Sequence, residues 1–198
     1  VIDEIKSEAD ESLRQISGID SDTFEKTSTA IKTRGFWLGT NLLTALIAAS
    51  VINIFKETLE QVIFLAVLMP IIASMGGVAA TQTLTITVRG LALGQIVRAN
   101  YLYIFNRELM VGISNGFIWA VILSLIACSW FQDWLLAWVI CLSMIINLIA
   151  GVLSGMGIPI LLKGLKMDPA VAGSVIVTTV TDVIGFFSFL GLATYFYS

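Results

Sequence analysis

The sequence predicts an all-α membrane protein with five transmembrane helices per chain, its N-terminus in the cytoplasm and its C-terminus outside. Three observations carry this. Of the 198 residues 57% are hydrophobic and 13% charged, with mean hydropathy +0.92, a balance that water-soluble domains of this size do not show. Five apolar runs reach the roughly 20 residues that a helix needs to cross a bilayer. Lys and Arg fall almost entirely on one side of those runs.

The chain opens with a polar arm, residues 1–34, that has no apolar signal-peptide core and begins with Val1, so it reads as a cut from a longer protein. The arm holds eight carboxylates: Asp3, Glu4, Glu8, Asp10, Glu11, Asp20, Asp22 and Glu25. Ile2, Ile5, Ala9, Leu13 and Ile16 recur at helical spacing, which predicts a helix over residues 1–16. Two readings stand side by side. The arm is a solvated juxtamembrane linker, or its carboxylates attract divalent cations that relieve their mutual repulsion and let it dock on the membrane domain.

The spans follow at about 36–55, 61–88, 109–130, 134–161 and 170–197, in a membrane domain that occupies residues 35–198. Lys56 to Glu60, Arg89 to Glu108, Gln132-Asp133 and Lys163 to Pro169 separate them. Pro169 suits the first turn of the last helix, with Asp168 as its cap. Ten of the 11 Lys and Arg residues lie on the N-terminal side of the membrane, and Lys56 alone lies opposite. The positive-inside rule sets the orientation from that count. Leu91 to Phe105 carries Gln95, Arg98, Asn100, Tyr101 and Tyr103, which predicts a short interfacial helix.

With no His, and with Cys128 and Cys141 lacking ligand spacing, soft-metal and thiol chemistry lose support. The two cysteines are expected at unequal depths and unpaired. The acidic balance, net charge −3, gives no reason to expect a nucleic-acid partner. Lipid surrounds the spans instead.

Asp182 is the one ionisable residue in the middle of a membrane-length apolar run. A charge at the bilayer centre costs about 2.5–3.5 kcal/mol on insertion scales, so it marks a functional site by default. At 100° per residue Ser174, Thr178, Thr181, Asp182 and Gly185 share a face, an oxygen-bearing stripe that any one Ser or Thr alone would not define. In the second span Pro70 and the pair Gly76-Gly77 interrupt a long apolar run, which predicts a broken or kinked helix. Asp182 lies thirteen residues in from Pro169, and Gly76 thirteen back from Arg89, so the two are expected level, with Thr81 opposite about Thr178 and Thr85 opposite about Ser174. Gly112-x-x-x-Gly116 and Gly151-x-x-x-Gly155, followed by Gly157, offer close helix contacts, and Asn147 and Gln82 need partners.

Oxygen-only surroundings point to a hard cation, and Mg²⁺ in particular keeps several waters while accepting one or two carboxylates. A twofold homodimer would bring two Asp182 side chains to its axis and supply the pair.

The segments Pro70 to Gly94, with Thr-Val-Arg89-Gly90-Leu-Ala-Leu-Gly94 at its end, and Pro169 to Phe187, with Thr178-Thr-Val-Thr-Asp182-Val-Ile-Gly185, resemble the transmembrane domain of the MgtE family of magnesium channels. The resemblance covers nearly the whole chain. It implies a homodimeric Mg²⁺ channel of the cytoplasmic membrane, lined by the second and fifth spans, with Asp182 as the pore aspartate. On the second span Ser74, Gly76, Gly77, Val78, Thr81 and Thr85 then line the pore. It also implies that residues 1–34 are the family's connecting plug helix, without the regulatory and CBS domains that precede it. One position departs: after the glycine pair the family has Asn and this chain has Val78, which removes an amide oxygen and leaves Ser74 or Thr81 to substitute. A proton- or sodium-coupled divalent-cation transporter, with Asp182 as carrier, is the competing class. An enzyme is not expected, since the spans lack a second aspartate or a His for intramembrane proteolysis.

Overall fold

The computed structural model describes residues 26–97, 99–166 and 169–197. They form helices α1 (Thr27–Ile54), α2 (Lys56–Gln61), α3 (Phe64–Ala92), α4 (Tyr101–Phe131), α5 (Trp134–Gly164) and α6 (Pro169–Tyr197). Five of these are long and apolar enough to cross a membrane, and α2 is a short link between the first two. The expected helix over 1–16, most of the acidic arm and the cap residue Asp168 lie outside the described residues. From Thr27 the arm is helical and continuous with the first span.

Two local expectations change. Leu91 to Phe105 is not one interfacial helix: α3 runs on to Ala92, a turn follows, and α4 starts at Tyr101. Gly94 takes φ +67, a left-handed conformation that glycine adopts without steric cost. The amides of Gln95 and Ile96 both donate to the Gly90 carbonyl, at 2.9 and 3.0 Å. Asn100 then locks the turn, accepting from the Val97 amide at 2.9 Å and donating to the Gln95 carbonyl at 2.7 Å. In the second span, Pro70 and the glycine pair do not break the helix, which continues through both.

The bundle is organised on α5. It packs against α3, α4 and α6, and more of its central stretch is buried than of any other span. Lipid is as apolar as the side chains, so helix association depends on close packing and polar contacts rather than on the hydrophobic effect. The glycine motifs provide that closeness. Gly151 and Gly155 bring the α5 backbone onto α3, where an added Cβ would lie 2.9 Å from the Gly76 carbonyl and 2.6 Å from that of Ala80. Gly112 and Gly116 do the same for α4, against Val152 and Leu148 of α5. At one end Leu65, Leu68 and Ile72 of α3 pack with Leu136, Val139 and Ile140 of α5 and Phe189 and Leu190 of α6. At the other, Lys163 reaches the Leu91 carbonyl at 3.3 Å. By contrast α1 rests chiefly on α6 and leaves Leu38, Leu42 and Leu46 exposed.

The α4–α5 hairpin closes through Gln132 in the left-handed region, φ 54, whose amide donates to the Cys128 carbonyl. Asp133 caps α5 by accepting from the amides of Leu135 and Leu136, at 2.8 and 3.1 Å. Its other oxygen accepts from the Tyr197 hydroxyl, which ties the end of α6 to the start of α5. Cys128 and Cys141 are free thiols. Burial pushes the Asp133 carboxyl up, but the Tyr197 hydroxyl and the two amides outweigh it and hold it below the usual 3.8. A carboxyl lowered on folding stabilises above its unfolded value and loses that contribution as pH falls through the folded one. We therefore expect Asp133→Ala to cost on the order of 1–2 kcal/mol at neutral pH in thermal unfolding of detergent-solubilised protein. The gap to wild type should narrow as the pH is taken below about 3.8.

Candidate cation site

The middle of α6 carries Asp182, held in place by a helix rich in Thr whose hydroxyls turn inward on their own backbone. Thr178 donates to the Ser174 carbonyl at 2.9 Å, Thr179 to that of Val175 at 2.6 Å, and Thr181 to that of Thr178 at 2.9 Å. Such bonds use the hydroxyl proton and leave the oxygen lone pairs free to accept. Asp182 is half-buried, and among the described residues nothing donates to it or pairs with it. Ser174 and Thr178 beside it are also partly exposed, whereas Thr181 and Gly185 are buried.

The second span lies alongside in the antiparallel sense. A Cβ on Gly77 would touch Thr178 and Thr181, each at 4.0 Å, and Leu84 lies against Gly173. These contacts place α3 and α6 within a turn of the register counted from the sequence. On α3, Ser74, Val78 and Thr85 are exposed and Gly77 and Thr81 partly so. The hydroxyls of Thr81 and Thr85 donate to the carbonyls of Gly77 and Thr81, at 2.8 and 2.9 Å, repeating the pattern of α6. Val78 presents an apolar side chain, 50% exposed, among them. Among the described residues no group of three or more acidic, His or Cys side chains gathers to hold a metal. A cation at Asp182 must then find its remaining oxygens in water, hydroxyls, carbonyls or another chain.

The residue that sequence reasoning left without a role is Asn147 of α5. It is fully buried, and its Nδ2 donates to the Ile72 carbonyl of α3 at 2.8 Å. Gly76 and Gly185 flank it, and a Cβ on either would come within 2.6 or 3.0 Å of its Cγ. Gly76 is thus glycine because an amide from α5 fills its place, while Gly77 faces α6. Asn147 Oδ1 has no partner among the described residues. One polar wedge sets the spacing of both helices that bear the candidate residues.

Interhelical hydrogen bonds in membranes are worth about 0.6 kcal/mol on average and up to about 1.7, so Asn147→Ala should cost in that range plus its lost packing. Gly185→Ala should cost about 1–3 kcal/mol by overpacking. The double variant should lose less than the sum, because removing the amide makes room for the methyl. Thermal unfolding of the four proteins in one detergent measures this cycle.

A family model described as MgtE, divalent cation transporter, matches residues 69–192, a stretch that includes every candidate residue from Ser74 to Gly185. Over 99% of its length the chain is 34% identical to the magnesium transporter MgtE of Bacillus subtilis (strain 168). It is 28% identical to the magnesium transporters MgtE of Enterococcus faecalis and Thermus thermophilus, over 99% and 98% of its length. It covers 44% of each of these proteins, less than half their length. With a match over most of the chain and five helices fit to cross a bilayer, this multi-pass membrane chain belongs to the MgtE family.

Proposed function

We propose that the chain is the ion-conducting membrane domain of a Mg²⁺ channel that acts as a twofold homodimer, with a partly hydrated Mg²⁺ held between two copies of Asp182. The observation that carries this reading is Asp182 itself: a carboxylate in the middle of a spanning helix, without a partner among the described residues, beside the hydroxyl-bearing faces of α3 and α6. The magnesium transporters it is similar to support the choice of ion. A second copy supports the chemistry, since one carboxylate is little for a divalent cation and two are typical of a site where Mg²⁺ keeps its waters.

The roles of the other residues follow. Ser174, Thr178, Thr81 and Thr85 offer oxygen lone pairs to waters of the hydration shell as the ion passes. Ser74, Gly77 and Val78 shape the α3 wall, and the buried Gly76, Thr181 and Gly185 set how closely that wall approaches α6. Two carboxylates brought together repel, so an ion between them stabilises the dimer and the ion's own hydration excludes a simple dry fit. The N-terminus is inside and the C-terminus outside, so the negative interior draws Mg²⁺ inward with about 2.3 kcal/mol per charge per 100 mV.

Mg²⁺ uptake into proteoliposomes under an inside-negative potential tests the assignment. Asp182→Asn should reduce uptake to background without loss of the folded protein, and Val78→Asn should retain uptake. Unchanged uptake by Asp182→Asn would remove Asp182 from the pathway.

A further inference from the structure

Away from Asp182, α3 and α4 barely touch, and the space between them, backed by α5, is a cavity of about 360 Å³. Much of its wall is apolar, but Gln82 and Thr83 of α3 and Glu108 and Asn115 of α4 also line it. Glu108 and Asn115 are seven residues apart and share the α4 face on which Gly112 meets α5. The polar pair therefore lies about 10 and 20 Å along α4 from Tyr101, at a rise of roughly 1.5 Å per residue.

Glu108 is the anomaly. Its side chain is only 6% exposed, yet the one group that meets its carboxylate among the described residues is the Arg107 guanidinium, 3.7 Å away and itself 64% exposed. An ion pair to an exposed, solvated guanidinium is weak, while a buried carboxylate needs strong compensation. The cavity offers what is missing. At about 30 Å³ per water it holds about a dozen, enough for a divalent cation with a full shell of water. The amide oxygens of Gln82 and Asn115 and the Thr83 hydroxyl add hard oxygen donors, and neither His nor Cys lines it.

We propose that Glu108, with Gln82 and Asn115, forms a second cation site in the α3–α4 cavity that takes a hydrated divalent cation. The carboxylate supplies the charge, the amides hold the waters, and Arg107 competes with the ion for the same oxygens. Val78 lines the cavity, and its neighbour Gly77 meets Thr178 and Thr181 of α6, so the cavity and the α6 stripe lie against different faces of one helix. The site rests on the cavity and not on the conduction reading above.

Mn²⁺ serves as the probe, counted by electron paramagnetic resonance titration of the whole chain purified in detergent. With Asp182→Asn as background, adding Glu108→Gln should remove one bound Mn²⁺ per chain, and excess Mg²⁺ should displace that same ion. Arg107→Gln, a change at an exposed side chain, should tighten Mn²⁺ binding in the same background. Identical Mn²⁺ binding with and without Glu108→Gln would overturn the proposal, as would an affinity that Arg107→Gln leaves unchanged. Both results are independent of whether Asp182 conducts.

Discussion

The amide of Asn147 is the contact on which the arrangement of this bundle depends. A buried polar group in a membrane must find a partner, and Asn147 finds it in a carbonyl of α3 rather than in its own helix. That choice fixes α5 against α3 at one height. Gly151 and Gly155 allow the two backbones to meet there, and Gly76 and Gly185 leave room for the amide between them. Larger residues at these four positions would push the helices apart, and the candidate residues of α3 and α6 would separate with them.

The same constraint gives Asp182 its setting. With α5 occupying the inner faces of α3 and α6, the polar side chains of Ser74, Thr85, Ser174, Thr178 and Asp182 stay at least partly exposed, beside the apolar Val78 and Ile176. The hydroxyl protons of Thr85 and Thr178 are engaged by backbone carbonyls, so these residues present lone pairs beside one negative charge. Such a face suits a hard cation and its waters. It suits lipid poorly, which is the physical reason for reading it as a surface that a second copy covers.

Much of this was legible in the sequence, for identifiable reasons. Span positions follow from hydropathy because the bilayer fixes their length, and the depth count put the glycine pair and Asp182 within a turn of the observed contacts because both helices have a constant rise. What Gly76 makes room for was not legible, since the partner of Asn147 is a backbone carbonyl 75 residues away and every residue has one. Glu108 was passed over because it sits beside Arg107 at the edge of the third span, where a charge reads as solvated; only the packing of Gly112 and Gly116 on α5 turns it inward. The turn before α4 was misread for a related reason. An interfacial helix and a capped turn have the same polar composition, and the left-handed Gly94 that distinguishes them leaves no periodic signal.

Whether two Asp182 carboxylates share one ion is read from anomalous scattering by crystals of the chain grown in Mn²⁺. A Mn²⁺ peak is expected on a twofold axis between the two aspartates, at a distance that leaves room for bound water. Asp182 side chains far from any such axis, or a dimer whose only Mn²⁺ lies elsewhere, would contradict it.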